Sequence, residues 1–257
     1  MTSPAPTAVI TGAANGIGAA AAARLATAGY RLLLVDRDHT SLAALVDELN
    51  ERGADATAHP ADVSQAADVQ AYVDHAHDLY GRIDAFFNNA GIIGLIAPLV
   101  DYPETVFDDV IAVNLRGVFL GLKYVLPGMY ERRAGAVVNT TSVAGQVGHL
   151  GHAGYVASKH AVVGLTKVAG AEAAPYGVRV NAVAPGPVRT DMIESIEAMK
   201  SPGDNDAERR RLLANIPAHR YGTAEEVASA VTFLLSGEAH YLNGTVLTID
   251  GAFTAVR

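Results

Sequence analysis

An apolar, β-branched run, "TAVIT" (7–11), passes without a break into "TGAANGIG" (11–18), and a helical pattern follows at once. That order limits the fold more than any other feature of the chain. Glycines at 12, 16 and 18 permit a tight turn, a close approach of the backbone to a bound group, and close packing of the next helix on the strand. The helix N-terminus then turns its free N–H groups towards whatever lies over the turn, which favours an anion such as a pyrophosphate. A glycine trio also serves as a plain tight turn. Here a second apolar run, "RLLLVD" (31–36), ends in an acid, Asp36, and that context argues for a ligand.

The rest of the chain repeats the alternation. "IDAFFN" (83–88), "GAVVNTT" (135–141), "VRVNAVAP" (178–185) and "GTVLTID" (244–250) read as further buried strands, with a weaker one at "ADATAHP" (54–60). Segments 17–28, 39–51, 64–80, 103–126 and 153–175 have helical length and spacing. "TAEE" (223–226) is a capping box opening a helix towards Leu235, and Pro103 marks a helix start, where its missing N–H costs nothing. The pattern predicts an α/β Rossmann fold: a doubly wound parallel sheet of about seven strands with helices on both faces. A chain of 257 residues, half of them apolar, fills one core, so residues 1–257 form a single domain. "KSPGDNDAERRR" (200–211) is the one polar, mobile-looking stretch, within a mobile substrate loop expected at about 190–215.

Asp36 also bears on the cofactor. A carboxylate there accepts hydrogen bonds from adenosine ribose hydroxyls and repels a 2′-phosphate. Arg37 could pair with that phosphate. The glycine loop itself holds no basic residue, however, and Asn15 stands beside Gly16, so NAD is favoured over NADP.

Composition excludes several classes. There is no cysteine, hence no disulfide or thiolate metal site. A formal net charge of −8 without a basic run argues against nucleic acid. Thr2 to Ala23 carries no charged side chain, but Pro4, Pro6, Thr7, Gly12, Asn15 and Gly16 interrupt it and no basic residue precedes it, so neither a membrane span nor a signal peptide is expected. The expected location is the cytoplasm. His75 and His77, two apart on a helix, diverge and make no metal site. His149 and His152 lie between Ser142 and Tyr155, near the expected cleft, and a solvent-exposed loop is the plainer assignment for them.

Tyr155 and Lys159 stand four apart on a predicted helix and so share a face. A nearby ammonium favours the phenolate of a tyrosine and brings it towards acid–base range. Ser142 closes the fifth strand, at the carboxyl edge where open α/β sheets bind ligands, and can exchange a hydrogen bond with a substrate oxygen. The alternative is a surface lysine beside a half-buried tyrosine.

"TGAANGIG", "NNAG" (88–91), Asn114 within "VNLRG", Ser142, "YVASK" (155–159) and "PGPVRT" (185–190) occur in the order and at about the spacing of the short-chain dehydrogenases/reductases, which the whole chain resembles. The resemblance implies that Tyr155 is the general acid/base. Lys159 would lower its pKa and bind the nicotinamide ribose, Ser142 orient the substrate oxygen, and Asn114 hold a water link to Lys159. It further implies cofactor contacts from Gly12, Asn15, Gly16, Ile17, Gly18, Asp36 and Arg37. Asp62 and Val63 would flank the adenine, Asn89, Ala90 and Gly91 the ribose, and Pro185, Gly186, Val188 and Thr190 the nicotinamide end. Asp62 and Thr190 could instead be helix caps, and Asn89 a strand-end turn former. A homotetramer built on the helices at 103–126 and 153–175 plus the C-terminal segment is implied as well. Within the family, "FFNNAGI", "NLRGVFLGL" and "YGTAEEVASAVTFLLS" look most similar to the levodione reductase and cyclic-alcohol dehydrogenase subgroup.

The segments around the expected cleft supply Ile92, Ile93, Leu95, Val143, Val147, Met192, Ile193 and Ile196, an apolar lining suited to a neutral cyclic or aryl ketone or the matching secondary alcohol. A 3-oxoacyl carrier-protein reductase using NADPH is the alternative; its anionic substrate would want a basic rim, and Arg189 and Arg209 to Arg211 are the basic residues available. A regulator that binds NAD without turnover would not need Asn114, Ser142, Tyr155 and Lys159 together.

Overall fold

The computed structural model describes residues 5–201 and 203–256; residues 1–4, with Thr2 and Pro4, Pro202 and Arg257 lie outside the described residues. The strands are β1 (Thr7–Thr11), β2 (Arg31–Asp36), β3 (Asp55–Pro60), β4 (Ala85–Asn88), β5 (Gly135–Thr140), β6 (Val178–Pro185) and β7 (Val246–Ile249). They form one parallel seven-stranded sheet in the order β3-β2-β1-β4-β5-β6-β7. The helices are α1 (Gly16–Thr27), α2 (His39–Glu51), α3 (Ala66–Tyr80), α4 (Glu104–Ile111), α5 (Gly117–Arg132), α6 (Ala153–Ala173), α7 (Asp191–Lys200), α8 (Asn205–Asn215) and α9 (Ala224–Leu235).

Strand periodicity divides the core. Ile10, Leu32, Leu34, Phe87 and Val138 point to one face, under α1, α2 and α9. Their neighbours Val9, Leu33, Val35, Phe86 and Val137 point to the other, under α3, α5 and α6. Both faces are covered, which is why the strands read as continuous apolar runs. Each fully buried Val, Leu or Phe contributes roughly 1.5–3 kcal/mol of transfer free energy. A third cluster, Val143, Ile193, Ile216, Tyr221 and Phe253, packs beneath α7 and α8.

The direction of winding reverses between β1 and β4, and a ligand crevice opens outside the carboxyl ends of strands at such a point. Three expectations are corrected around it. The helix read over 103–126 is two helices, α4 and α5, joined by a π turn at Ala112–Arg116, and it continues past Pro127 to Arg132 because Leu126 and Met129 are buried on either side of the proline. Pro103 is the residue before that helix, in extended conformation, and not its first helical residue. The segment at 190–215, read as a loop, is built as the helices α7 and α8, the second capped by the Asp204 carboxylate accepting from the Ala207 N–H. By length and composition the run Glu104–Arg132 is apolar enough to cross a membrane, but half of its apolar window is buried within the protein.

Candidate active site

The first turn of α1 is left open for an anion. Gly12 and Gly16 adopt φ of 63° and 54°, in the left-handed region where a side chain is strained. A Cβ on Gly18 would lie 2.0 Å from the Gly12 carbonyl oxygen, so that position admits only glycine. Asn15 caps the helix in extended conformation without a side-chain hydrogen bond, and no acidic residue occupies the first turn. The positive end of the helix therefore has no internal counter-charge. These features fit a dinucleotide pyrophosphate.

Asp36 has a second task that the sequence did not reveal. Its Oδ2 accepts from the Ala14 N–H at 3.0 Å and its Oδ1 from the Asp38 N–H at 3.0 Å, bracing the glycine turn from the end of β2. Each oxygen keeps a lone pair for a ribose hydroxyl. Arg37 lies exposed at the rim of the same cavity. Asp62 shapes its own turn, its Oδ1 accepting from the Ser64 N–H at 2.9 Å, while Val63 is buried against Gly117. Asn89 ties three strands together: its Nδ2 donates to the Thr11 and Gly12 carbonyls at 3.2 and 3.1 Å, and its Oδ1 accepts from the Thr140 hydroxyl at 3.0 Å. Its side chain makes no local turn bond, so Asn89 is a tie between strands on the cavity wall and not a turn former. Thr190 occupies the cap position of α7, yet its hydroxyl donates back to Val188 and makes no cap bond.

Ser142, Tyr155 and Lys159 converge on one cavity of about 380 Å³. Ser142 follows β5, and its Oγ accepts from the Ala144 N–H at 3.1 Å, which fixes the hydroxyl at the strand end. Tyr155 and Lys159 share a face of α6, and the ammonium lies 5.6 Å from the phenol ring centroid. Burial pushes the Tyr155 phenol above its ordinary value, with Ser142 opposing the shift. Burial also lowers Lys159, to about 8. Its Nζ donates to the Thr140 carbonyl at 2.8 Å.

Among the predicted contacts, Gly12, Asn15, Gly16, Ile17, Asp36, Arg37, Asp62, Val63, Asn89, Ala90, Gly91, Pro185, Gly186, Val188 and Thr190 line this cavity. Gly18 and Asn114 stand behind it. Asn114 is fully buried in the π turn; its Oδ1 accepts from the Ile92 N–H and its Nδ2 donates to the Ile92 carbonyl, both at 2.8 Å. A π turn presents a side chain out of helical phase, and such turns gather at functional sites. A Cβ on Gly91 would lie 3.2 Å from the Asn114 Oδ1 and 3.4 Å from the Lys159 Nζ, so this glycine lets the two approach.

The substrate side differs in detail from expectation. Ile92, Ile93, Val143, Met192, Ile193 and Ile196 line the cavity, whereas Leu95 and Val147 do not. His149 and His152 both line it, and His152 is buried rather than solvent-exposed, its Nδ1 donating to the Leu150 carbonyl at 2.8 Å. Burial lowers the His152 pKa. The cation brought to this wall is Lys200, not Arg189 or Arg209 to Arg211. Lys200 extends the face of Ile193 and Ile196 by one helical step, a signal the sequence did carry. Phe253 was also missed; it stacks on His149 with ring centroids 6.1 Å apart. Among the described residues no cluster fits a metal ion.

Residues 12–254 match a family model described as enoyl-(acyl carrier protein) reductase. The chain is 45% identical over 249 residues to levodione reductase of Leifsonia aquatica, covering 96% of this chain and 93% of that one. It is 38% identical to cyclohexanol dehydrogenase of Acinetobacter sp. (96% and 94% covered) and 38% identical to the 3-oxoacyl-[acyl-carrier-protein] reductase FabG of Staphylococcus aureus (95% and 96%). A crystal structure of levodione reductase superposes with a TM-score of 0.96 at 43% identity, covering 98% of each chain. NAD⁺-bound xylitol dehydrogenase gives 0.91 at 34% identity (96% and 98%), and an actinorhodin polyketide ketoreductase with NADPH gives 0.92 at 35% (97% of each).

Proposed function

The chain belongs to the short-chain dehydrogenase/reductase family, and from that premise we propose that it is an NAD(H)-dependent oxidoreductase interconverting a neutral, cyclic or aryl ketone and its secondary alcohol. The observation that carries this reading is the convergence of Ser142, Tyr155 and Lys159 on one cavity that runs from the glycine turn to an apolar wall.

The nicotinamide, when bound, supplies or accepts the hydride. The chain's own residues do the rest. The N–H groups opening α1 hold the pyrophosphate, and Asp36 accepts from the adenosine ribose hydroxyls and disfavours a 2′-phosphate. Ser142 donates to the substrate oxygen and fixes its direction. Tyr155 gives its proton to that oxygen in reduction and takes it back in oxidation. A phenol raised by burial stays protonated at neutral pH and is ready to act as the acid. The Lys159 ammonium beside it favours the phenolate left after proton transfer, and its remaining donors suit the nicotinamide ribose. Asn114 positions this group through Ile92 and Gly91. The apolar surface of Ile92, Ile93, Val143, Met192, Ile193 and Ile196 excludes water and holds a compact ring.

Cytoplasmic location and a homotetramer complete the proposal. Phe107 on α4, Phe119 on α5 and Val168 on α6 are 37%, 47% and 55% exposed, an apolar face that a neighbouring subunit would cover. A 3-oxoacyl carrier-protein reductase using NADPH is the second reading, favoured by the Staphylococcus aureus relative and by a cation on the substrate wall. The deciding experiment follows absorbance at the reduced-nicotinamide band with a panel of ketones and secondary alcohols, each with both cofactors. Turnover of ring ketones with NADH supports the first reading; greater kcat/KM for acetoacetyl-coenzyme A with NADPH replaces it with the second.

A further inference from the structure

Lys200 closes α7 and reaches the wall of the cavity with Ile196, Leu212, His152 and Phe253. An ammonium on so apolar a wall is unusual, since its charge loses hydration and must find partners. Its nearest anion, Glu208, is 5% exposed and forms an ion pair with it at 3.7 Å, longer than a hydrogen bond. Each Glu208 oxygen accepts one bond from Arg211, at 2.7 Å, and keeps one lone pair. Two cations thus share one carboxylate. The other buried acid of this helix pair, Glu197, accepts from the Tyr221 hydroxyl at 2.7 Å and faces Arg209 at 3.9 Å. His152, its imidazole desolvated, adds no competing full charge. The side chain of Lys200 remains 22% exposed, on a wall separate from the Ser142 and Tyr155 that come from β5 and α6.

We propose that Lys200 is a specificity-determining residue whose ammonium donates to an acceptor oxygen that the substrate carries away from its reacting carbon. The inference rests on the ring-ketone reading and narrows it: the substrate is a ring with a second oxygen, not a plain hydrocarbon ketone. A neutral ether, carbonyl or hydroxyl oxygen and a carboxylate offer the same acceptor chemistry. The apolar wall sets the ring, and Lys200 sets which way round it sits.

The test compares matched rings in the wild-type protein, Lys200→Met and Lys200→Arg, each first checked for an unaltered thermal midpoint and for NADH binding. The probes are 3- and 4-methoxycyclohexanone against 3- and 4-ethylcyclohexanone, and 3- and 4-oxocyclohexanecarboxylate against their methyl esters. An apolar pocket alone prefers the ethyl ring, so the sign is diagnostic. In the wild type kcat/KM favours the methoxy ring over its ethyl partner by about tenfold or more at one ring position, the scale of a hydrogen bond from a charged donor. The ratio falls to about one in Lys200→Met and survives in Lys200→Arg. A stronger preference for the carboxylate over its ester supports the inference and assigns the second oxygen to an acid. Equal or greater rates with the ethyl rings in the wild type, or a ratio that Lys200→Met leaves unchanged, overturn the inference while the ring-ketone reading stands. Failure of every ring ketone with either cofactor overturns both.

Discussion

The Lys159 ammonium donates to the carbonyl of Thr140 at 2.8 Å, two residues before Ser142. One contact therefore joins α6, which carries Tyr155, to the strand end that carries Ser142. The Thr141 hydroxyl returns the link by donating to the Lys159 carbonyl at 2.8 Å. Relative placement of the serine, the phenol and the ammonium is thus a property of the β5 to α6 junction and does not depend on side-chain reach alone.

Tyr155→Phe removes the proton carrier and keeps the ring. Turnover in both directions is expected to fall by ~10²–10⁴-fold or more, with NADH still bound. Steady-state rates and a fluorescence titration of NADH on the purified variant check it, and near-normal turnover would end the proton-transfer role given to Tyr155.

Lys159 links pH to both stability and cofactor affinity. Its folded value of about 8 lies below the ordinary 10.5. Between those two values the unfolded chain holds a proton that the folded chain has released, so this group's contribution to stability increases as pH rises through that window and is constant below it. Cofactor affinity moves oppositely, because the neutral amine is a poorer donor to the ribose. Urea midpoints and NADH titrations at pH 7.5 and 9.5, wild type against Lys159→Met, should show both trends in the wild type alone; parallel curves for the two proteins would contradict them.

Asp36→Ala is expected to lower kcat/KM with NAD by about tenfold or more, the scale of a charged hydrogen bond, and to bring NADP closer to parity. Part of that loss comes from the released Ala14 and Asp38 N–H groups. Unmodified protein that works better with NADPH would show that Arg37 governs the pocket.

Asn114→Ala should destabilise the fold by roughly 2–4 kcal/mol, since the N–H and carbonyl of Ile92 lose their partners. Urea denaturation measures the loss. A change below about 0.5 kcal/mol, the level of an ordinary surface substitution, would mean that water replaces the carboxamide without penalty.

Much of this architecture is legible in the residues. β1, β2 and β5 are buried on both faces, which needs apolar side chains at successive positions, and that requirement is written as near-continuous apolar runs. Gly12, Gly16 and Gly18 are legible because no other residue meets their backbone or steric demands. Tyr155 and Lys159 follow from helical spacing. What stayed hidden is of another kind. The Thr140 carbonyl that holds Lys159 belongs to the main chain, which every residue possesses, so no residue type marks it. Asp250 turns the tail locally, its Oδ2 accepting from the Thr254 N–H at 2.8 Å, and Phe253 meets the cavity through His149, a residue far from it in the chain. The continuation of α5 through Pro127 is likewise decided by burial, which overrides a local preference worth ~3 kcal/mol.

The π turn at Ala112–Arg116 amounts to one surplus residue stored inside an otherwise regular helix. Since each helical residue turns the axis by about 100°, the surplus acts as a phase shifter between α4 and α5. Deleting one residue there would let hydrogen bonding run on as uninterrupted α-helix, so length and helicity would survive almost untouched. The damage would be rotational: either α5 would turn its buried stripe off the sheet, or α4 would swing around its axis and carry Asn114 away from Ile92. Chain length in this stretch is therefore held by angle, and a deletion that looks harmless in a helical spectrum would disconnect the carboxamide from the cavity wall it supports.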